Sequence, residues 1–146
     1  MPSKLVFHKQ ETPYSCVPAC LRMVLSGFNI DLREKELREL CDCTIFGTEA
    51  LKAVDAARKL GFDNTVKSTL SMDELLAQVN CETYPIVFVN LLLIDQIRDT
   101  HAMVVIAVEE SNILVYDPLK GERKIPRSTF ESAWAMMHNI SILVQV

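Results

Sequence analysis

Four residues could do acyl-transfer chemistry together: Gln10, Cys16, His101 and Asp117, in that order along the chain. Cys16 stands where a helical pattern begins. A helix N-terminus carries partial positive charge, so it favours a thiolate over a thiol. The thiolate is the nucleophilic form of cysteine. His101 opens the apolar run 102–108, and Asp117 closes the run 113–116. An imidazole can take up and release the proton such a reaction moves, and a carboxylate beside it fixes one tautomer and stabilises the imidazolium. Gln10 supplies a side-chain NH₂ for a developing oxyanion, with the Cys16 backbone N–H as a second donor.

Each residue also has an ordinary role to be weighed. Cys16 could be a small buried hydrophobe. Its place at a helix start, not in the middle of an apolar stripe, favours chemistry. His101 could be a satisfied sheet histidine, Asp117 with Pro118 a turn starter, and Gln10 a surface residue. Their joint occurrence is what carries weight. Cys20 shares a stripe with Val17 and Val24 and reads as core. Cys16, Cys20, Cys41 and Cys43 could be paired as a zinc site. Three residues separate the first pair and one the second, whereas structural zinc sites have about two to four inside each pair. No metal and no cofactor is expected. Cys81 reads as semi-buried filler, His8 as exposed, and His138 as a cap for the last helix. Trp134, Met136 and Met137 read as core.

The elements that must position these groups follow from periodicity and punctuation. Residues 11–15 form a turn, with Ser15 as cap and Pro18 in the first helical turn, where its missing N–H costs little. Val17, Cys20, Leu21, Val24 and Leu25 make an apolar stripe, and Gly27 ends the helix. A second helix is expected from Asp31, with Glu34 completing a capping box. Its charged residues Glu34, Lys35, Glu36, Arg38 and Glu39 read as a solvated face. A third helix is expected from Thr48, burying Leu51, Val54, Ala57 and Leu60. Ser71 and Glu74 open a fourth.

From Pro85 the pattern changes. Pro85 to Ile94 reads as a buried strand. The runs at 101–108 and 113–116 are joined by residues 109–112 and read as an antiparallel hairpin. Such a hairpin brings His101 and Asp117 to one sheet edge, where directly opposed Cβ atoms lie about 4.5–5.5 Å apart. Residues 123–126 form a short edge strand. Ser128 and Glu131 cap a last helix, and residues 140–146 form a final strand. Helices first and antiparallel strands second indicate an α+β domain with helices on one side of a sheet. One domain is expected over 1–146, helical to about residue 80 and sheet-forming from about 81.

Composition narrows the function. The chain has 146 residues, 49% hydrophobic, with a net charge of −4 and no basic run. Nucleic acid is therefore not an expected partner. No apolar stretch reaches the roughly 20 residues of a membrane span. The start has no signal-peptide core, and the five cysteines are an odd count. A cytoplasmic setting with free thiols is expected.

Gln10, Cys16 and Ala19 to Met23 resemble the peptidase domain of bacteriocin-exporting ABC transporters, in the papain-like superfamily. The similarity continues through residues 31–41, Gly47 and Thr48, residues 57–62, His101 to Val105, and Asp117 with Pro118. It covers most of the chain. Ser15 and Val17 depart from the family pattern of an acid before the nucleophile and glycine after it. The resemblance implies a papain-like fold and a cysteine peptidase that clips a leader peptide after a double glycine, here expected as a stand-alone form. It implies Cys16 as nucleophile, His101 as base, Asp117 as orienting group and Gln10 as oxyanion donor, acting on a peptide or protein substrate. Three rivals stand beside it. They are acyl or amide transfer on the same triad, a non-catalytic peptide-binding module of the same fold, and a redox or metal protein.

Overall fold

The computed structural model describes residues 4–146. Helices α1 (Cys16–Ser26), α2 (Glu34–Leu40) and α3 (Ala50–Lys59) come first, followed by strand β1 (Val66–Thr69) and helix α4 (Met72–Asn80). Then come β2 (Ile86–Asn90), the short α5 (Leu92–Asp95), β3 (Thr100–Val108), β4 (Asn112–Asp117), β5 (Gly121–Pro126), α6 (Arg127–Ala135) and β6 (Ile140–Leu143). The strands form one antiparallel sheet in the order β1-β6-β2-β3-β4-β5. The mixed helix and antiparallel-sheet class is as expected.

The helices are not confined to one side. Phe88, Ala102, Val104, Tyr116 and Ile142 belong to a core shared with α1, α2 and α3. Val87, Val89, Met103, Val105, Val115 and Leu143 belong to a second core with Leu75 of α4 and Phe130 and Trp134 of α6. Alternate strand residues point to opposite faces, so the sheet is covered on both. The reason is legible in β2. Ile86 to Val89 are buried at every position, and a strand without a polar phase has no face to give to water.

Helix starts depend on tertiary context more than on local caps. Ser71 and Glu74 do form the expected capping box, through Glu74 N–H to Ser71 Oγ at 3.1 Å and Ser71 N–H to Glu74 Oε1 at 2.9 Å. The others differ. Helix α2 begins at Glu34, not Asp31; α3 begins at Ala50, not Thr48; and α6 begins at Arg127, with Glu131 paired to Arg127 at 3.4 Å. Helix α3 buries Ala53, Val54, Ala56 and Ala57, while Leu51 points outward, 59% exposed. Small residues let this helix sit close to its neighbours. Beyond Asn90 the chain turns into α5 instead of extending the strand. Asn90 Oδ1 accepts the Leu92 N–H at 2.9 Å, a local bond that asparagine offers at turns. Cys81 is exposed where a semi-buried position was expected, and Met136 is exposed, not core.

Trp134 anchors the second core. It is fully buried and donates its indole N–H to the Ile140 carbonyl at 3.1 Å. We expect Trp134→Ala to lower stability by about 3–5 kcal/mol, measured by urea unfolding followed by circular dichroism.

Candidate active site

Cys16 is the first residue of α1 because the chain ahead of it is locked in a turn. Ser15 Oγ accepts the Thr12 N–H at 3.1 Å and donates to the Thr12 carbonyl at 3.3 Å. Ser15 therefore closes the preceding turn and does not cap the helix with its side chain. The turn is buttressed from below by Glu34. Its side chain is completely buried, and its Oε1 accepts the Glu11 N–H at 2.9 Å. Arg38 Nε lies 3.2 Å from the other oxygen. Burial pushes the Glu34 carboxyl up, against the pull of the Glu11 amide, Ser15 and Arg38. Glu34 is thus not part of a solvated helix face. The Glu11 amide and the Arg38 guanidinium explain why a helix-start glutamate is turned inward.

Gln10 is buried, 6% exposed, and doubly fastened. Its backbone N–H donates to the Pro118 carbonyl at 2.8 Å. Its side-chain NH₂ donates to the Thr12 carbonyl at 2.7 Å. That carbonyl accepts but cannot donate, so it orients the amide with nitrogen on this side. An NH₂ has two hydrogens, and one remains. The Gln10–Pro118 bond joins the segment before α1 to the turn just after Asp117.

His101 and Asp117 meet at the rim of the sheet. They are not directly opposed as expected. Val104 lies across from Tyr116, and continuing that register sets Met103 across from Asp117. His101 is thus a diagonal neighbour, where backbones lie about 7–8 Å apart and long side chains still reach. The imidazole Nε2 lies 2.7 Å from Asp117 Oδ1, with both side chains almost completely buried. With Nε2 taken, Nδ1 is the nitrogen left to face Cys16, which lines the same cleft as His101.

These contacts set the charges. Burial alone would drive His101 toward neutrality, but the bond to Asp117 and the neighbouring Cys16 sulfur outweigh it and raise its pKa to about 9. Burial alone would also raise the Asp117 carboxyl. The His101 bond, the Leu119 N–H and Arg123 instead hold it at about 2. Leu119 donates to Oδ1 at 2.8 Å, and Arg123 Nη1 donates to Oδ2 at 3.0 Å. Arg123 also grips Asp95, at 2.7 and 3.0 Å. Neither Arg123 nor Asp95 was expected from the sequence. A signal did exist: Arg123 shares its strand phase with buried Ile125, so a charged residue points inward on an edge strand.

Cys16 and His101 line one cleft of about 300 Å³, with Ile45, Phe46, Leu91 and Leu119 also at its walls. A larger hollow of about 440 Å³ around Tyr84 and Tyr116 includes neither of them. Among the described residues, no three His, Cys, Asp or Glu side chains converge as a metal site. Of the four residues singled out from the sequence, His101 bonds Asp117 and shares the cleft with Cys16, while Gln10 is tied to Thr12 and to Pro118 beside Asp117. A sulfur beside an imidazole, a carboxylate behind it and an amide near the helix start can together attack a carbonyl and carry its proton.

The Peptidase C39 family matches residues 4–145. The chain belongs to this family. As a C39 peptidase it is similar to LagD, the lactococcin-G-processing and transport ATP-binding protein of Lactococcus lactis subsp. lactis. The identity is 27% over 131 residues, 90% of this chain. The chain spans 18% of that protein's length. The peptidase domain of Streptococcus ComA, a bi-functional ABC transporter, is 30% identical, with a TM-score of 0.79 over 99% of both chains. The double-glycine-motif protease of an AMS/PCAT transporter, solved with its leader peptide, shares the fold. Its TM-score is 0.76 and its identity 22%, over 97% of this chain and 91% of that one. Among the described residues, no helix is long and apolar enough to cross a membrane.

Two outcomes follow for this C39 peptidase. The His101 pKa rises on folding from 6.5 to about 9. Its stabilising effect is therefore complete below 6.5 and lost as pH rises through about 9. Stability measured by urea unfolding should fall over this range in the wild type, and the fall should shrink in Asp117→Asn. Separately, Glu34→Ala leaves the part-buried Glu11 N–H without its acceptor. It should lower stability by about 1–3 kcal/mol, and Glu34→Gln, which keeps an acceptor oxygen, by less.

Proposed function

We propose that the chain cleaves a peptide bond through a Cys16–His101–Asp117 triad with Gln10 as oxyanion donor. The observation that carries this reading is the buried bond of 2.7 Å between His101 Nε2 and Asp117 Oδ1 beside the Cys16 sulfur. It leaves the imidazole charged and its other nitrogen turned to the thiol. Cys16 attacks the scissile carbonyl as the thiolate of an ion pair with His101. Negative charge then collects on the carbonyl oxygen. The free N–H of Gln10 and the Cys16 backbone N–H, which has no intrahelical acceptor, stabilise it. The C–N bond breaks as His101 donates its proton to the departing amine. A thioester remains on Cys16. His101, now neutral, takes a proton from water, which attacks the thioester and releases the acid. Asp117 holds the ring orientation through both halves.

The substrate we propose is a peptide with a double-glycine leader, in line with the leader-processing relatives. The apolar walls of the cleft at Ile45, Phe46 and Leu119 suit apolar side chains beyond the two glycines.

Cleavage of double-glycine peptides, followed by mass analysis of the products, tests the proposal. Cys16→Ala and His101→Ala should abolish turnover. Gln10→Ala should reduce kcat on the order of 100- to 1000-fold, the usual effect of losing one oxyanion donor. The rate should fall on the alkaline side near pH 9, as the His101 imidazolium deprotonates. Cleavage that persists in Cys16→Ala would overturn the mechanism.

A further inference from the structure

Asp117 meets His101 with one oxygen, and something must hold the other. Its Oδ2 accepts from Arg123 Nη1 at 3.0 Å. The same guanidinium spans to Asp95, with Nη2 on Oδ1 at 2.7 Å and Nη1 on Oδ2 at 3.0 Å. Asp95 is 9% exposed, Arg123 21% and Asp117 1%. This is a planar fork clamped between two carboxylates, a geometry suited to arginine and not to lysine. The three side chains come from three elements: β4, β5 and α5. None is close in sequence to Cys16.

We propose that Arg123, seated by Asp95, is a positioning residue for the triad: it fixes the carboxylate plane of Asp117 and tempers the charge that Asp117 presents to His101. The inference rests on the triad reading above. The physical argument has two parts. A carboxylate with one oxygen held by His101 and Leu119 N–H can still rotate about its Cβ–Cγ bond; a guanidinium on Oδ2 stops that rotation. A buried carboxylate with no other counter-ion would also bind the imidazolium proton too firmly for His101 to release it to a leaving amine. A second cation shares the negative charge. Asp95 in turn limits how much of the arginine's charge Asp117 feels.

Asp95 lies in the segment between Leu91 and Asp99, both of which line the cleft. The clamp therefore ties one wall of the cleft to the back of the triad. The charged and titratable groups around His101 are Cys16 of α1, Asp117 of β4, Arg123 of β5, Asp95 of α5, and Asp99 and Lys120 in the adjoining loops.

The two clamp residues should act with opposite signs. In Arg123→Gln a cation is removed, the imidazolium is held more firmly, and His101 should titrate about 0.5–1 pH unit higher. In Asp95→Asn an anion is removed, Arg123 bears more strongly on Asp117, and His101 should titrate lower. Arg123→Lys keeps the charge but not the fork; it should restore the titration while leaving kcat reduced. With a cleavable peptide, Arg123→Gln should lower kcat on the order of tenfold with KM little changed.

The test is NMR titration of the His101 ring in the wild type, Arg123→Gln, Asp95→Asn and Arg123→Lys, with no substrate present. Shifts of opposite sign in the glutamine and asparagine variants support the clamp. Shifts of one sign, or none, overturn it, because general loosening moves both variants alike. Turnover that survives in Cys16→Ala would sink the triad instead, and the ring titration does not depend on turnover.

Discussion

The Asp117 carboxylate is the charge on which this site depends. It is 1% exposed, and an isolated ion in such a place would cost several kcal/mol or simply protonate. It stays ionised because three donors converge on it: the His101 ring, the Leu119 N–H and Arg123. Each comes from a different stretch of chain. Hydrogen-bonding one buried anion therefore fixes the ends of β3, β4 and β5 together. It also fixes His101 as a cation, which a sulfur nearby can use.

The rest of the fold brings that sulfur to that ring. Helix α1 packs its apolar stripe on the face of the sheet that carries Ala102 and Val104, so its first residue comes to the strand ends. The turn at 12–15, held by Ser15 and by buried Glu34, decides that this first residue is Cys16. The backbone bond from Gln10 to Pro118 then anchors the segment before α1 to the turn after Asp117. Cys16, His101 and Gln10 are thus set by two turns and one helix start, backed by cores on both faces of the sheet. The covering of both faces has its own role: it leaves the strand ends as the place where polar side chains can meet water and substrate.

Much of this was legible in the chain itself. The order Gln10, Cys16, His101, Asp117 and the hairpin around residues 109–112 pointed to the candidate site, whose His101–Asp117 bond the fold contains. Ser71 and Glu74 announced their helix because the capping box is local. What failed to show was non-local. Glu34 has the sequence appearance of a solvated cap, yet it turns inward to an amide 23 residues away. The register that sets His101 diagonal to Asp117 is accompanied by a bulge between Val105 and Ala107, which apolar residues in that run do not signal. Arg123 and Asp95 lie 28 residues apart and meet only through the third dimension. Leu51 looked like core, but the alanines around it gave α3 a closer face to bury.

The central claim is that the Cys16 sulfur forms the bond to the substrate carbonyl with His101 as its partner. Trapping the acyl-enzyme tests this most directly. Wild-type protein is mixed with an activated ester of a peptide ending in two glycines, quenched in acid, and mapped by mass spectrometry. The account predicts one acyl group per chain, on Cys16, forming far more slowly in His101→Ala. Acylation of another residue, or of Cys16 at an unchanged rate without His101, would contradict it.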